Sequence, residues 1–235
     1  MAGKNNKCVY DSIKFSDSED EYDYESDDSA KELALPLEKL NLGPKKKLLV
    51  MNLNGLLLHR VHRADKSKIA NSREVDGRYR NYLDDALNYA IGASRKKMLF
   101  VWDQEQCTNS GFKCKENARK PLFFKELSKI FENVKKGGPF SASNTLLIDD
   151  KPYKAFLNPP NTGIFPESYV PHNDADKELD PNGELCIFLK GVAEAGDVGI
   201  YVKDHPFGQP AVSSSHPDWE FYSQVKESIL QKRGH

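Results

Sequence analysis

The chain has 235 residues, a formal net charge of −1, and 38% hydrophobic and 29% charged residues. That balance suits one soluble domain with tails and is too polar for a membrane protein, since no apolar run reaches the roughly 18 residues a spanning helix needs. Four cysteines, Cys8, Cys107, Cys114 and Cys186, form no close-spaced framework, which excludes a disulfide-stapled scaffold and points to reduced thiols.

The charge is unevenly spread. Residues 1–44 hold five Lys and eleven Asp or Glu, so the remainder carries about +5. The run Ser16-Asp17-Ser18-Glu19-Asp20-Glu21 and the acids after it offer few apolar groups to offset the entropy of ordering. Residues 1–44 are therefore expected to be a disordered acidic arm, with Ser16, Ser18 and Ser26 as candidate sites for an acid-directed kinase. Leu33, Leu35, Leu37, Leu40 and Leu42 suggest a docking peptide, and Gly43-Pro44 marks a boundary. The start of the chain has no signal-peptide core and the wrong sign for a mitochondrial presequence, so nucleus or cytoplasm is the expected location.

Lys46 to Leu58 holds an apolar run that ends in Asn52-Leu53-Asn54-Gly55. Its length and composition predict a strand buried on both faces, as in a parallel sheet. Asn and Gly at its carboxyl end suit a turn with unusual backbone angles. Ligands of open α/β sheets bind just beyond such strand ends, which makes Asn52 and Asn54 candidate site residues. His59 and His62 share a face if the strand continues, but no third ligand is near, so they read as polar surface. Tyr82 to Ala93 has helical spacing, with Gly92 suited to end it.

Met98 to Trp102 predicts a second buried strand, and residues 103–119 a polar loop. Cys107 and Cys114 are spaced too widely for a zinc knuckle, and no second pair follows. Pro121 to Phe131 predicts a helix with Pro121 in its first turn and Lys125 on it. Thr145 to Ile148 predicts a third strand, closed by Asp149 and Asp150. Ile164 to Pro166 reads as a short edge strand. Glu184 to Ala195 and Val198 to Asp204 read as helices, with Leu185, Phe188, Leu189 and Val192 facing in. Trp219 to Gln231 predicts a last helix. Strands alternating with helices predict an α/β layered fold with domain limits at 45–210 and a tail at 211–235.

Residues from Lys46 to Pro210 resemble plant members of the RNA polymerase C-terminal-domain phosphatase family, or NLI-interacting-factor-like domain, of the haloacid-dehalogenase superfamily. The resemblance rests on Val50-Met51-Asn52-Leu53-Asn54-Gly55, Trp102-Asp103-Gln104 with Cys107-Thr108, Leu122 to Ser128, Leu147 to Asp150, and His205 to Pro210. It implies a Rossmann-like fold with a central, mostly parallel sheet. It also implies phosphoryl transfer through an aspartyl-phosphate with Mg²⁺.

Carried over position by position, the resemblance puts Asn52 at the nucleophile, Asn54 at the acid/base, Lys125 at the charge-compensating lysine, and Asp149 and Asp150 at the metal ligands. Lys125, Asn54 and Gly55 fall at the phosphate-binding positions. Two departures change the expected function. Both motif-one aspartates are asparagines, poor nucleophiles without charge for a cation. The strand that supplies the motif-two hydroxyl has no counterpart between Arg63 and Lys97, and neither Ser94 nor Thr108 directly follows a strand, so one core segment is expected to be missing.

The resulting expectation is a catalytically impaired phosphatase-like module that binds a phosphorylated protein or peptide, with weak or absent Mg²⁺ and no direct nucleic-acid binding. The alternatives are an active Mg²⁺-dependent serine/threonine phosphatase, a subunit like that of the mitochondrial inner-membrane translocase, and a truncated chain without a stable fold.

Overall fold

The computed structural model describes residues 46–59, 92–134, 139–169 and 182–234. All of them lie in the compact unit Leu42–His235. The acidic arm, the leucine-rich segment, His62 and all but the last two residues of the helix expected at Tyr82–Ala93 lie outside the described residues; Gly92, expected to end that helix, opens the 3-10 helix Gly92–Lys97.

A three-stranded sheet is ordered β1-β4-β5, with β1 Leu48–Met51, β4 Thr145–Ile148 and β5 Gly163–Ile164. β1 and β4 run parallel, with Leu48 opposite Thr145 and Met51 opposite Ile148. β5 joins β4 in parallel, and Phe165 then bridges to Gly208. A separate antiparallel pair, β2 Thr108–Lys113 and β3 Pro121–Phe124, is bulged between Asn109 and Lys113. Four α-helices complete the described part: α1 Leu127–Asn133, α2 Glu184–Glu194, α3 Val198–Asp204 and α4 Trp219–Arg233. β1, β4, β5, the two helices after β5 and the last helix fall where the apolar patterns predicted them, whereas β2 forms within residues 103–119, expected as a polar loop, because β3 supplies its partner. None of these helices is long and apolar enough to cross a membrane.

β4 is the centre of the fold because all four of its residues are buried. Leu147 faces α1, where Leu48, Leu127, Ile130 and Val134 close one core layer. Leu146 and Ile148 face the other way, onto Leu185, Phe188 and Val192 of α2 and Val198 and Val202 of α3. A third layer lies between the β2–β3 pair and α4, where Leu122 and Phe124 meet Tyr222, Val225 and Ile229. Apolar residues at helical spacing on α2 and α4 and at alternate positions on β3 explain these layers.

Three expectations are corrected. Pro121–Phe131 is not one helix. Pro121–Phe124 alternates exposed and buried positions and pairs with β2, and the helix starts only at Leu127. The run Leu122-Phe123-Phe124 fits a strand once a partner is present, because pairing overrides local helical spacing. Met98–Trp102 is not a buried strand: Met98, Leu99 and Val101 are exposed, while Phe100 and Trp102 pack on the α1 layer. β1 is not buried on both faces either, since Leu49 and Met51 are each 40% exposed. Their backbone groups also point away from β4. Leu48 and Asn52 donate to the Asn144 and Ile148 carbonyls, and parallel ladders bond on alternate residues. Among the described residues, no strand pairs with that outer edge of β1; most of Arg63–Lys97, where a core segment was expected to be missing, lies outside the described residues.

Candidate functional site

The parallel register of β1 and β4 brings their carboxyl ends side by side. Asn52 directly follows the pair Met51–Ile148, and its N–H donates to the Ile148 carbonyl at 2.9 Å. Asp149 and Asp150 follow Ile148 and are both buried. Two sequence-distant candidates thus meet. Asn52 Nδ2 donates to Asp150 Oδ1 at 2.9 Å and also to the Asn54 carbonyl.

Gly55 makes this meeting sterically feasible. Its φ is +93°, and a Cβ there would lie 2.3 Å from Asp150 Oδ2. Glycine therefore supplies both the left-handed turn and the room for the carboxylate. Asn54 is exposed, and the network reaches it through its backbone carbonyl.

Lys125 enters from the end of β3 rather than from a helix. Its N–H donates to the Lys154 carbonyl at 2.8 Å, and its C=O accepts from Asn158 Nδ2 at 2.7 Å. Asn158 Oδ1 accepts from the Leu127 N–H, capping the start of α1. Fixed in this way, Lys125 Nζ donates to Asn52 Oδ1 at 2.7 Å and to Asp149 Oδ2 at 2.6 Å. These partners also settle the orientation of the Asn52 amide, because an ammonium needs an acceptor and a carboxylate needs a donor.

Lys154 was not singled out in the sequence. It sits in the 3-10 turn Pro152–Ala155, and its Nζ lies 3.1 Å from Asp149 Oδ1 and 3.9 Å from Asp150 Oδ1. The spacing of Asp150 to Lys154, one turn apart after Pro152, was the available signal. Ser168 was also missed; its hydroxyl donates to Asp150 Oδ2 at 2.7 Å. Gln209, within a stretch that carried only the family resemblance, donates to the carbonyls of Asp150 and Pro166, both at 3.1 Å.

Burial pushes the Lys125 ammonium below its ordinary value, while the Asp149 carboxylate pulls it back up in part. For Asp150, burial acts upward, but the Ser168 hydroxyl and the charges of Lys154 and Lys151 outweigh it and hold the carboxyl below its ordinary value. Cys107 lies close enough to feel Lys125, Lys154 and Lys129, yet burial pushes its thiol up. It stays a thiol at neutral pH and does not replace the carboxylate nucleophile that position 52 lacks.

Thr108 and Ser94 were weighed as substitutes for the motif-two hydroxyl. Thr108 is committed elsewhere, donating to Glu126. Cys114 is buried against the Pro121 carbonyl and Tyr153, and His59 faces the Tyr169 carbonyl at 3.1 Å. Among the described residues, no group of three or more His, Cys, Asp or Glu side chains converges as a metal site.

The family model described as NLI interacting factor-like phosphatase matches residues 47–199, more than half of the chain. No curated protein and no solved structure matches it significantly.

Proposed function

Since the chain belongs to the NLI interacting factor-like phosphatase family, with an α/β fold of the haloacid-dehalogenase type, we propose that its domain binds a phosphorylated protein segment without hydrolysing it. The observation that carries this reading is the Asn52 carboxamide, held between Lys125 and Asp150 at the position of the expected nucleophile. An amide nitrogen in that place is neither a charged nor a titrating group near neutral pH, and it offers no carboxylate to attack phosphorus. Asn at position 54 removes the expected acid and base as well.

Charge supports an anionic ligand. Two carboxylates, Asp149 and Asp150, face the ammonium groups of Lys125, Lys154 and, at 4.0 Å, Lys151. The local balance is one positive charge in excess. A phosphoryl group near Lys125, Asn54 and Gly55 would meet that excess through charge-assisted hydrogen bonds. A nuclear or cytoplasmic phosphoprotein is the partner class that goes with this reading.

Calorimetric titration of the full chain with a phosphoserine peptide and its unphosphorylated twin tests the binding. Saturable heat for the phosphorylated peptide alone is expected. An aryl phosphate assay with MgCl₂ tests the impairment. Release of phosphate that disappears in Asp149→Asn would show an active phosphatase and overturn it.

A further inference from the structure

We propose that the Asn52 carboxamide, by donating to Asp150 where a carboxylate would need a divalent cation, lets this acidic cluster be held without metal. The inference concerns the cluster itself and holds whether or not a phosphorylated peptide binds there.

Magnesium takes oxygen donors in near-octahedral array at about 2.0–2.1 Å. Lys125 Nζ donates to Asn52 Oδ1 and Asp149 Oδ2, at 2.7 and 2.6 Å. The other Asp149 oxygen accepts from Lys154 Nζ at 3.1 Å and from the Lys151 N–H at 2.9 Å. Asp150 is equally committed. Its Oδ1 accepts from Asn52 Nδ2 at 2.9 Å and its Oδ2 from the Ser168 hydroxyl at 2.7 Å. As arranged, these residues do not fit the ion that the fold family implies.

The amide is what makes the arrangement self-sufficient. Asn52 accepts on one side and donates on the other, linking Lys125 to Asp150. A carboxylate at position 52 would accept on both sides. Its second oxygen would then face Asp150 Oδ1 at hydrogen-bond distance with no proton between them. Like charges that close, in a buried setting, need either a shared proton or a cation. Asparagine at position 52 and the loss of a metal requirement are thus one change.

The test is thermal unfolding of the full chain in MgCl₂ against NaCl of equal ionic strength, for the native sequence and for Asn52→Asp. The native protein should show no saturable Mg²⁺ response. Asn52→Asp should melt lower by on the order of 5 °C in NaCl and recover in MgCl₂. Saturable stabilisation of the native protein by Mg²⁺ would overturn the proposal. So would an Asn52→Asp protein as stable as the native one in both salts. If Asn52→Asp does not fold in NaCl, folding in MgCl₂ supports the proposal. If it folds in neither salt, adding Asp150→Asn removes the facing charge: recovery supports the proposal and continued failure overturns it.

Discussion

Arg233, in the last turn of α4, forks onto Glu126, with its two terminal nitrogens 3.0 and 2.5 Å from the two carboxylate oxygens. Glu126 is the residue after Lys125, and it also accepts from Thr108. A helix beyond the family-matched residues therefore anchors the strand end that presents Lys125 to Asn52 and Asp149.

This clamp should be visible as a pH-dependent stability difference. Burial acts to raise Glu126, but the hydrogen bonds from Arg233 and Thr108 outweigh it and hold the carboxyl below its ordinary 4.5. A depressed carboxyl contributes stability that is present above its unfolded value and is lost as pH falls through its folded value. Glu126→Gln should lower the melting temperature at pH 7 by roughly 2–4 °C, about 1 kcal/mol, because Arg233 is half-exposed and its charge is screened. The gap should close as pH drops below about 4.5. A gap that stays constant down to acid conditions would show that the carboxylate charge contributes nothing.

Asp149 is completely buried and faces two ammonium groups. Removing Lys125 leaves its Oδ2 without a partner in a site with little water. Lys125→Met is expected to cost about 2–4 kcal/mol in urea unfolding, because Lys154 alone then faces the buried carboxylate and one of its oxygens loses its charged donor. Combining it with Asp149→Asn should recover part of that loss. Additive effects in this double-mutant cycle would contradict the contact.

Gly55 gives a sharper steric test. Gly55→Ala combines a left-handed φ with a Cβ placed inside the Asp150 carboxylate. A cost of at least about 3 kcal/mol is expected. Gly196→Ala, where nothing lies within 4 Å, should stay within about 0.5 kcal/mol of the native protein. Urea midpoints measure both.

The site was legible where chemistry sits at the end of an apolar run. Asn52 after Met51 and Asp149 after Ile148 can be read from the chain, and parallel pairing alone brings them together. Lys125 was found by resemblance but placed on the wrong element, since Leu122-Phe123-Phe124 satisfies a strand or a helix until β2 supplies a partner. Lys154, Ser168 and Arg233 were missed. Ser168 and Arg233 act across folded chain, and a lone hydroxyl in a loop or charge at a helix end has no period to betray it; Lys154 had only its four-residue spacing from Asp150, within a turn-rich loop, to mark it. The exposed runs at β1 and at Met98–Trp102 misled in the opposite direction: apolar composition signals burial only when a neighbour exists to cover it.

That last point is open to measurement. Leu49 and Leu147 are both leucines on paired parallel strands, separated by one residue in register. Leu147 is 0% exposed and packs on α1, whereas Leu49 is 40% exposed on the outer strand. Leu147→Ala should cost about 3 kcal/mol through lost burial and a residual cavity. Leu49→Lys should cost less than about 1 kcal/mol, since its long stem can lie along the same surface with the charge in water. It should also reduce any association of the chain at high concentration, because a charge on a strand whose outer edge is unpaired among the described residues opposes strand pairing. Urea unfolding and light scattering decide. A Leu49→Lys protein destabilised as much as Leu147→Ala would mean that β1 is covered in solution and that the edge is not open.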